Sequence, residues 1–245
     1  MNKFEREYCL EYFKCRDVKT PAKFGKAAGW DFFIPNDLTI FDFTNNTGIY
    51  INEFLDVPVI NDIYVIPLEF SIKINNVNRE YIILCIKNET GEFVPKIRRK
   101  PSELVISYLV KDDLSVAELE TLMITPVTWV KILPGSKVLI PSGVHVKLPE
   151  QVFLVGENKS GIASKRGLIK AAQVIDNDYE GQIHINMINP TSIATYIKPG
   201  EKIIQFVPYF QPNMLEMKEY NSKDDLYANS KSVRGEGGFG SSGIK

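Results

Sequence analysis

The feature that most constrains this chain is a succession of short β-branched and aromatic runs separated by Gly, Pro and Asn. In order they read LTIFDF, IYVIPLEFSI, EYIILCIK, ELVISYLV, PVTWVKIL, SKVLIP, VHVKLP, QVFLVG, QIHINMIN and EKIIQFVPYF. Runs this short cannot each bury a face alone, so many strands with frequent turns predict an all-β sandwich or barrel. Helical periodicity is convincing only near LSVAELETLM, where Ser115 followed by Glu118 has the spacing of a capping box. There are no internal repeats.

Composition then removes several function classes. The 29 basic and 30 acidic residues nearly cancel to a net charge of -1, so no overall field favours nucleic acid or a membrane surface. Cys9, Cys15 and Cys85 have no metal-ligand spacing, and His145 and His184 form no HExxH-type pair. Thiols in a reducing compartment and no protein-held zinc are expected. No apolar run reaches the roughly 20 residues of a membrane span, and the charged start MNKFEREYCLEYFK is not a secretory leader. The expected location is cytoplasmic, in the host cytoplasm if the source is viral.

The chain divides by character. Residues 41–129 hold several strands, one helix and the basic link Lys96–Pro101, read as a solvated loop with an anion or partner site as the alternative. From about Asn221 the sequence turns polar and glycine-rich, with too little apolar surface to hold a fold by itself.

Four segments carry chemistry. Glu157-Asn158-Lys159-Ser160-Gly161 can offer a hydroxyl, a backbone N–H and a cation to phosphate, although such turns are common in loops. Val174 through Gly181 places Asp176 at a strand end before Tyr179 and predicts a β-hairpin, either ligand-binding or a plain Asx-stabilised turn. Pro199 through Phe206 inserts one amide, Gln205, into an apolar strand; it faces outward or has a definite buried partner. Arg234 through Gly243 combines an arginine, glycines, Phe239 and two serines, either a phosphate clamp with a stacking plate or a disordered Gly/Ser tail.

Taken in order, these segments resemble the five motifs of the trimeric dUTPase family. Ala28-Gly29-Trp30-Asp31-Phe32 resembles the first, Asn158–Ala163 the second, Val174–Gly181 the third, Lys202–Gln205 the fourth and Arg234–Gly243 the fifth. The resemblance covers about residues 7–40 and 130–245. It implies a distorted jelly-roll β-barrel of the dUTPase-like β-clip type, a homotrimer with shared sites, and hydrolysis of dUTP to dUMP and pyrophosphate. The implied organisation is a core of 1–40 and 130–220, an inserted α+β segment at 41–129 and a flexible arm at 221–245 that closes the site.

Roles follow from the same resemblance. Asp176 is the expected general base for a water attacking the α-phosphorus, and Gln205 positions that water. Lys159, Ser160 and Gly161 bind phosphate oxygens. Arg234 grips the γ-phosphate, and Phe239, with Gly240 and Ser241 in the same closing arm, caps the base. Val174, Ile175 and His184 read the base, and Tyr179 lies against the deoxyribose. Mg²⁺ is expected on the triphosphate, with Asp31 reaching it only through water.

The chain departs from the pattern in places. Lys159 replaces an arginine, trading a planar fork for a point charge. Gln173 stands where glycine is usual, and Lys170 where some members have asparagine, both near the base. Alternative readings are the same hydrolysis on dCTP or a 5-modified pyrimidine nucleotide, and a regulatory or partner-binding role through the insert. The related dCTP deaminases place a glutamate base where this chain has Asn186, which cannot act as one.

Overall fold

A computed structural model describes residues 9–46, 63–87, 89–90, 93–100, 114–211 and 217–229. The chain enters through β1 (Glu11–Lys14) and β2 (Trp30–Phe33), then forms α1 (Ile40–Asn46). The run LTIFDF, expected as a strand, is thus largely helical. Its β-branched and aromatic composition is overridden by a local cap: Thr39 N–H donates to Asp42 Oδ2 at 2.8 Å, which starts a helix at Ile40. Arg16 fixes the same carboxylate through both of its terminal nitrogens, at 2.6 and 2.9 Å. The turn of helix then buries Ile40 and Phe43 together, three residues apart on one face.

Next come β3 (Ile63–Ile74), β4 (Val77–Lys87) and β5 (Phe93–Arg99). The β3–β4 turn is Asn75-Asn76, both with positive φ (50° and 63°), the backbone that a two-residue hairpin between right-twisted strands requires. The basic link expected as a solvated loop is therefore the edge strand β5, and its cations serve the fold. Arg99 pairs with Glu118, while Lys100 reaches Glu69 at 2.8 Å and Glu80 at 3.2 Å.

After α2 (Val116–Ile124) the chain returns as β6 (Val127–Ile132). Ser115 caps α2 with the reciprocal Glu118 contact, as its spacing predicts. Among the described residues the strands of the 41–129 segment close no separate sheet. β3 pairs directly with β6, giving a five-stranded sheet in the order β13-β6-β3-β4-β5, where β13 is Thr195–Ile197. Glu69 on β3 is buried opposite Lys131 of β6 and is held at 2.9 Å by it. Burial works against the charge of Glu69, but Lys100 and Lys131 outweigh it and hold its pKa below the ordinary value.

The remaining strands are β7 (Lys137–Pro141), β8 (Val144–Lys147), β9 (Val152–Asn158), β10 (Ile169–Lys170), β11 (Val174–Ile175), β12 (His184–Ile188) and β14 (Lys202–Phe210), with α3 (Ser160–Arg166) between β9 and β10. They form three antiparallel sheets: β1-β8, β10-β12-β7 and β11-β9-β14-β2. Inward residues alternate as a half-buried strand demands, with Val152 and Leu154 of β9 and Ile185 and Met187 of β12 facing one core. At its centre Phe32 and Phe206 meet edge to face at 4.8 Å, each fully buried. The architecture is all-β and of the jelly-roll type.

Residues to Gln211 form one compact unit and Pro212–Lys245 a second. In the second, where only a polar arm is expected, Ser222 caps a short helix α4 (Lys223–Tyr227) by accepting from Asp225 N–H at 3.0 Å.

Candidate active site

Three of the sequence-predicted segments meet around Asp31. This aspartate lies on β2, its N–H donating to Ala22 O at 2.7 Å, so the backbone fixes where the carboxylate points. Its side chain is only 13% exposed. Lys159, at the N-cap of α3, pairs with Oδ1, and Lys202, at the start of β14, pairs with Oδ2 at 2.9 Å. Burial alone would raise the Asp31 pKa; the two ammonium groups overcome that and leave it lowered. Lys202 was not singled out as a site residue by the sequence, although it opens the fourth motif-like segment.

Gln205 faces Asp31 directly across the β14–β2 pair and faces Glu157 across β14–β9. Directly opposed residues of an antiparallel pair project from the same side of the sheet, so Asp31, Gln205 and Glu157 form one polar row. The Gln205 amide donates to Asn158 O at 3.4 Å. At the far end of the row, Glu157 holds Lys170 Nζ at 2.8 Å, and Asn158 Oδ1 accepts from Lys170 N–H at 2.6 Å. Ser160 and Gly161 open α3 beside Lys159, and the space a side chain at Gly161 would enter is empty of other protein atoms.

The third segment is arranged differently from expectation. Val174–Ile175 does not form a hairpin with the strand that follows it. β11 pairs with β9, whereas β12 pairs with β10 and β7, so residues 176–183 arch from one sheet to another. Among the described residues β11 is the last strand of its sheet, so one edge of Val174 and Ile175 has no described strand beside it. Asp176 follows at the strand end and is exposed. Tyr179 donates its hydroxyl to Gln182 O at 2.9 Å and lays its ring over Gly181, where any side chain would collide with it.

His184 Nδ1 donates to the same Gln182 carbonyl at 2.9 Å. Burial lowers the His184 pKa more than this hydrogen bond raises it, favouring the neutral ring. With Nδ1 carrying the proton, Nε2 is left as an acceptor.

Gln173 does not stand in an open pocket. Its side chain is turned inward: the residue is 7% exposed, its Nε2 donates to Asn186 O, and its Oε1 is buried without a partner. It fills the space above Gly156, where any Cβ would strike it. Arg234, Phe239, Gly240 and Ser241 lie outside the described residues.

The register separates Asp176 from Gln205. They lie two strands apart across the sheet and four residues apart along it, about 16 Å at ordinary strand spacings. The Asp31–Lys159–Lys202–Gln205 cluster and the Asp176–Tyr179–His184 arch are therefore distinct surfaces of one chain.

Among the described residues no group of three or more His, Cys, Asp or Glu could hold a metal ion, and both oxygens of Asp31 are engaged by lysines. The donor set among the described residues does not fit a metal ligated directly by their side chains. No helix among the described residues is long and apolar enough to cross a membrane.

Comparison with known proteins points one way. The dUTPase family model matches residues 124–243. The deoxyuridine 5'-triphosphate nucleotidohydrolase of Enterobacter sp. (strain 638) is 38% identical over 122 residues, covering 47% of this chain and 74% of that protein. The enzyme of the same name from Hydrogenobaculum sp. (strain Y04AAS1) is 34% identical over 120 residues, covering 47% and 77%. Among solved structures, a dUTPase of Staphylococcus bacteriophage 80alpha with dUPNHPP is 18% identical, covering 96% of this chain and 99% of that one, at a TM-score of 0.46.

Proposed function

The chain belongs to the dUTPase family, and we propose that it hydrolyses dUTP to dUMP and pyrophosphate by in-line attack of a water on the α-phosphorus. The observation that carries the mechanism is the convergence of three remote segments, at Asp31, Lys159 and Lys202–Gln205, on one polar row.

In this reading Lys159, Ser160 and Gly161 receive phosphate oxygens, supported by the open space beside Gly161. Lys159 must then exchange Asp31 for phosphate, while Lys202 remains as the partner of that carboxylate. Gln205 orients the attacking water and Asp176 accepts its proton. The free edge of Val174 and Ile175 and the Nε2 acceptor of His184 supply hydrogen-bonding groups for the pairing edge of uracil. Mg²⁺ bound with the triphosphate would supply neutralisation of charge there, and Asp31 would reach it only through water.

At that separation Asp176 and Gln205 do not meet on one phosphate within a single copy, which supports an active unit of at least two copies. A homotrimer with shared sites is the assembly proposed. The glycine-rich arm containing Arg234 and Phe239 would complete each site.

The test is pyrophosphate release with Mg²⁺ from dUTP, dCTP, dTTP and UTP. Preference for dUTP is expected, and Asp176→Asn should lose nearly all turnover while still binding nucleotide. Wild-type turnover in that variant would refute the base; no turnover of any nucleotide by the native protein would refute the function.

A further inference from the structure

The residues that set where the phosphate-binding segment sits lie at the other end of α3. Arg166, the last residue of that helix, makes a two-pronged ion pair with Glu201, Nη1 to Oε2 at 2.7 Å and Nη2 to Oε1 at 2.8 Å. Such a fork fixes direction as well as distance, which a single lysine contact cannot do. Both partners are anchored further. Arg166 Nη1 also donates to Tyr196 O at 3.1 Å, and Glu201 Oε2 also accepts from Lys198 N–H at 3.0 Å. Glu201 O accepts from Ile34 N–H at 2.8 Å, tying the same residue to the chain just beyond β2.

The helix end itself has little room to move. Gly167 closes α3 with φ 68°, and any side chain there would strike Thr191. Thr191 is in turn bonded to Asn189, a fully buried residue whose amide donates to Ile132 O and Ile193 O. From this fixed point α3 runs back one and two-thirds turns, roughly 10 Å, to Lys159 and Ser160. Glu201 immediately precedes Lys202, the second cation on Asp31. One ion pair therefore couples the start of β14, which carries Lys202 and Gln205, to the helix whose first turn carries Ser160 and Gly161.

We infer that Arg166 and Glu201 are positioning residues for the triphosphate: their fork holds α3 so that its first turn is presented at a fixed distance from the Asp31–Gln205 row. This rests on the proposed phosphate role of that turn. The fork is remote from the arch at Asp176–His184, so the nucleoside end of the ligand should not sense its loss.

The test compares three variants of the full-length protein, Arg166→Met, Glu201→Gln and the exchange Arg166→Glu with Glu201→Arg. Each is measured for melting temperature, for turnover of dUTP, and for affinity toward a non-hydrolysable dUTP analogue and toward dUMP. A displacement of under an ångström at the phosphates should raise KM for dUTP and weaken the analogue by about 10-fold, with dUMP affinity unchanged within about two-fold. The exchange variant should recover part of the loss, because the ion pair is restored but the contacts to Tyr196 O and Lys198 N–H are not. Equal weakening of dUMP and the analogue, or a lowered melting temperature with all nucleotide constants unchanged, would overturn the inference and make the pair purely structural. The native protein in the same assays separates the two readings: if it neither binds nor turns over dUTP, the proposed function fails first.

Discussion

Removing the charge of Asp31 is the most informative perturbation of the site, because one carboxylate serves two cations. In Asp31→Asn the shape is kept while Lys159 and Lys202 face each other across a neutral amide. At an effective dielectric constant of about 20 and a separation of about 3 Å, each ion pair is worth roughly 5 kcal/mol before desolvation is subtracted. The Lys202 side chain is 53% exposed, so its share falls toward that of a surface pair, below about 1 kcal/mol. Lys159 is 21% exposed and Asp31 13%, so this pair behaves more like a buried one. Losing the partner of a buried charge costs about 3 kcal/mol or somewhat less for incomplete burial. A total near 3 kcal/mol converts, for a chain of this length, to a fall in Tm of roughly 6–12 °C at neutral pH.

The pH dependence gives an independent check. The Asp31 pKa is lowered by folding, so its stabilisation is present above the unfolded value of about 3.9 and disappears as pH falls through the folded value. The difference in Tm between wild type and Asp31→Asn should therefore be constant from pH 5 to 8 and shrink below about pH 4. Thermal unfolding over this range, with pyrophosphate release at pH 7.5, measures both. A variant that melts within 2 °C of wild type, with a difference independent of pH, would refute the ion-pair account.

Gly29→Ala should be severe for a steric reason: a Cβ there would lie 2.5 Å from Phe206 O, a backbone atom of β14 next to Gln205. A loss of about 3 kcal/mol by chemical denaturation is expected, and near-native stability would mean that β14 yields more easily than its packing suggests. Gln173→Met keeps the volume while removing the unpartnered Oε1, so the lost hydrogen bond and the relieved orphan nearly cancel, leaving stability within about 1 kcal/mol. Because this side chain faces inward, the dUTP to dCTP preference should be unchanged; a shifted ratio would show that Gln173 does read the base. Ser115→Ala removes the hydroxyl half of the α2 capping box, leaving Glu118 to accept from the backbone N–H at 115, and should cost about 1 kcal/mol in the same unfolding assay, with turnover intact; a loss of turnover would tie that helix to the site.

Much of the strand content was legible because alternation and turn residues are local signals. QVFLVG, QIHINMIN and EKIIQFVPYF all become strands where the pattern puts them. Ile40–Asn46 was not legible, because two side-chain contacts, Thr39 with Asp42 and Arg16 with Asp42, overrule a composition that favours strand. The basic link was misjudged for a related reason. Lys100 and Arg99 look solvated until pairing across the sheet brings Glu69 and Glu80, and the first turn of α2 brings Glu118, beside them. Of the site, the motif-like segments marked Asp31, Lys159 and Gln205, but nothing local joins Arg166 to Glu201, 35 positions away.

The arch at residues 176–183 shows why pairing matters more than strand prediction for function. A Val-Ile-Asp strand end followed by a turn and a new strand is equally compatible with a hairpin and with a crossing between sheets. In a hairpin, β12 would occupy the edge of β11 and satisfy the backbone groups of Val174 and Ile175. Sending β12 to β10 and β7 leaves that edge without a strand among the described residues, while the β11–β9 register holds Asp176 away from Gln205 along the sheet. The crossing thus exposes a backbone edge, and the register keeps the arch apart from the Asp31 row within a single copy. If, as proposed, the arch recognises the base and the Asp31 row handles the phosphates, association must bring the two together, and assembly is then a condition of turnover rather than an addition to stability.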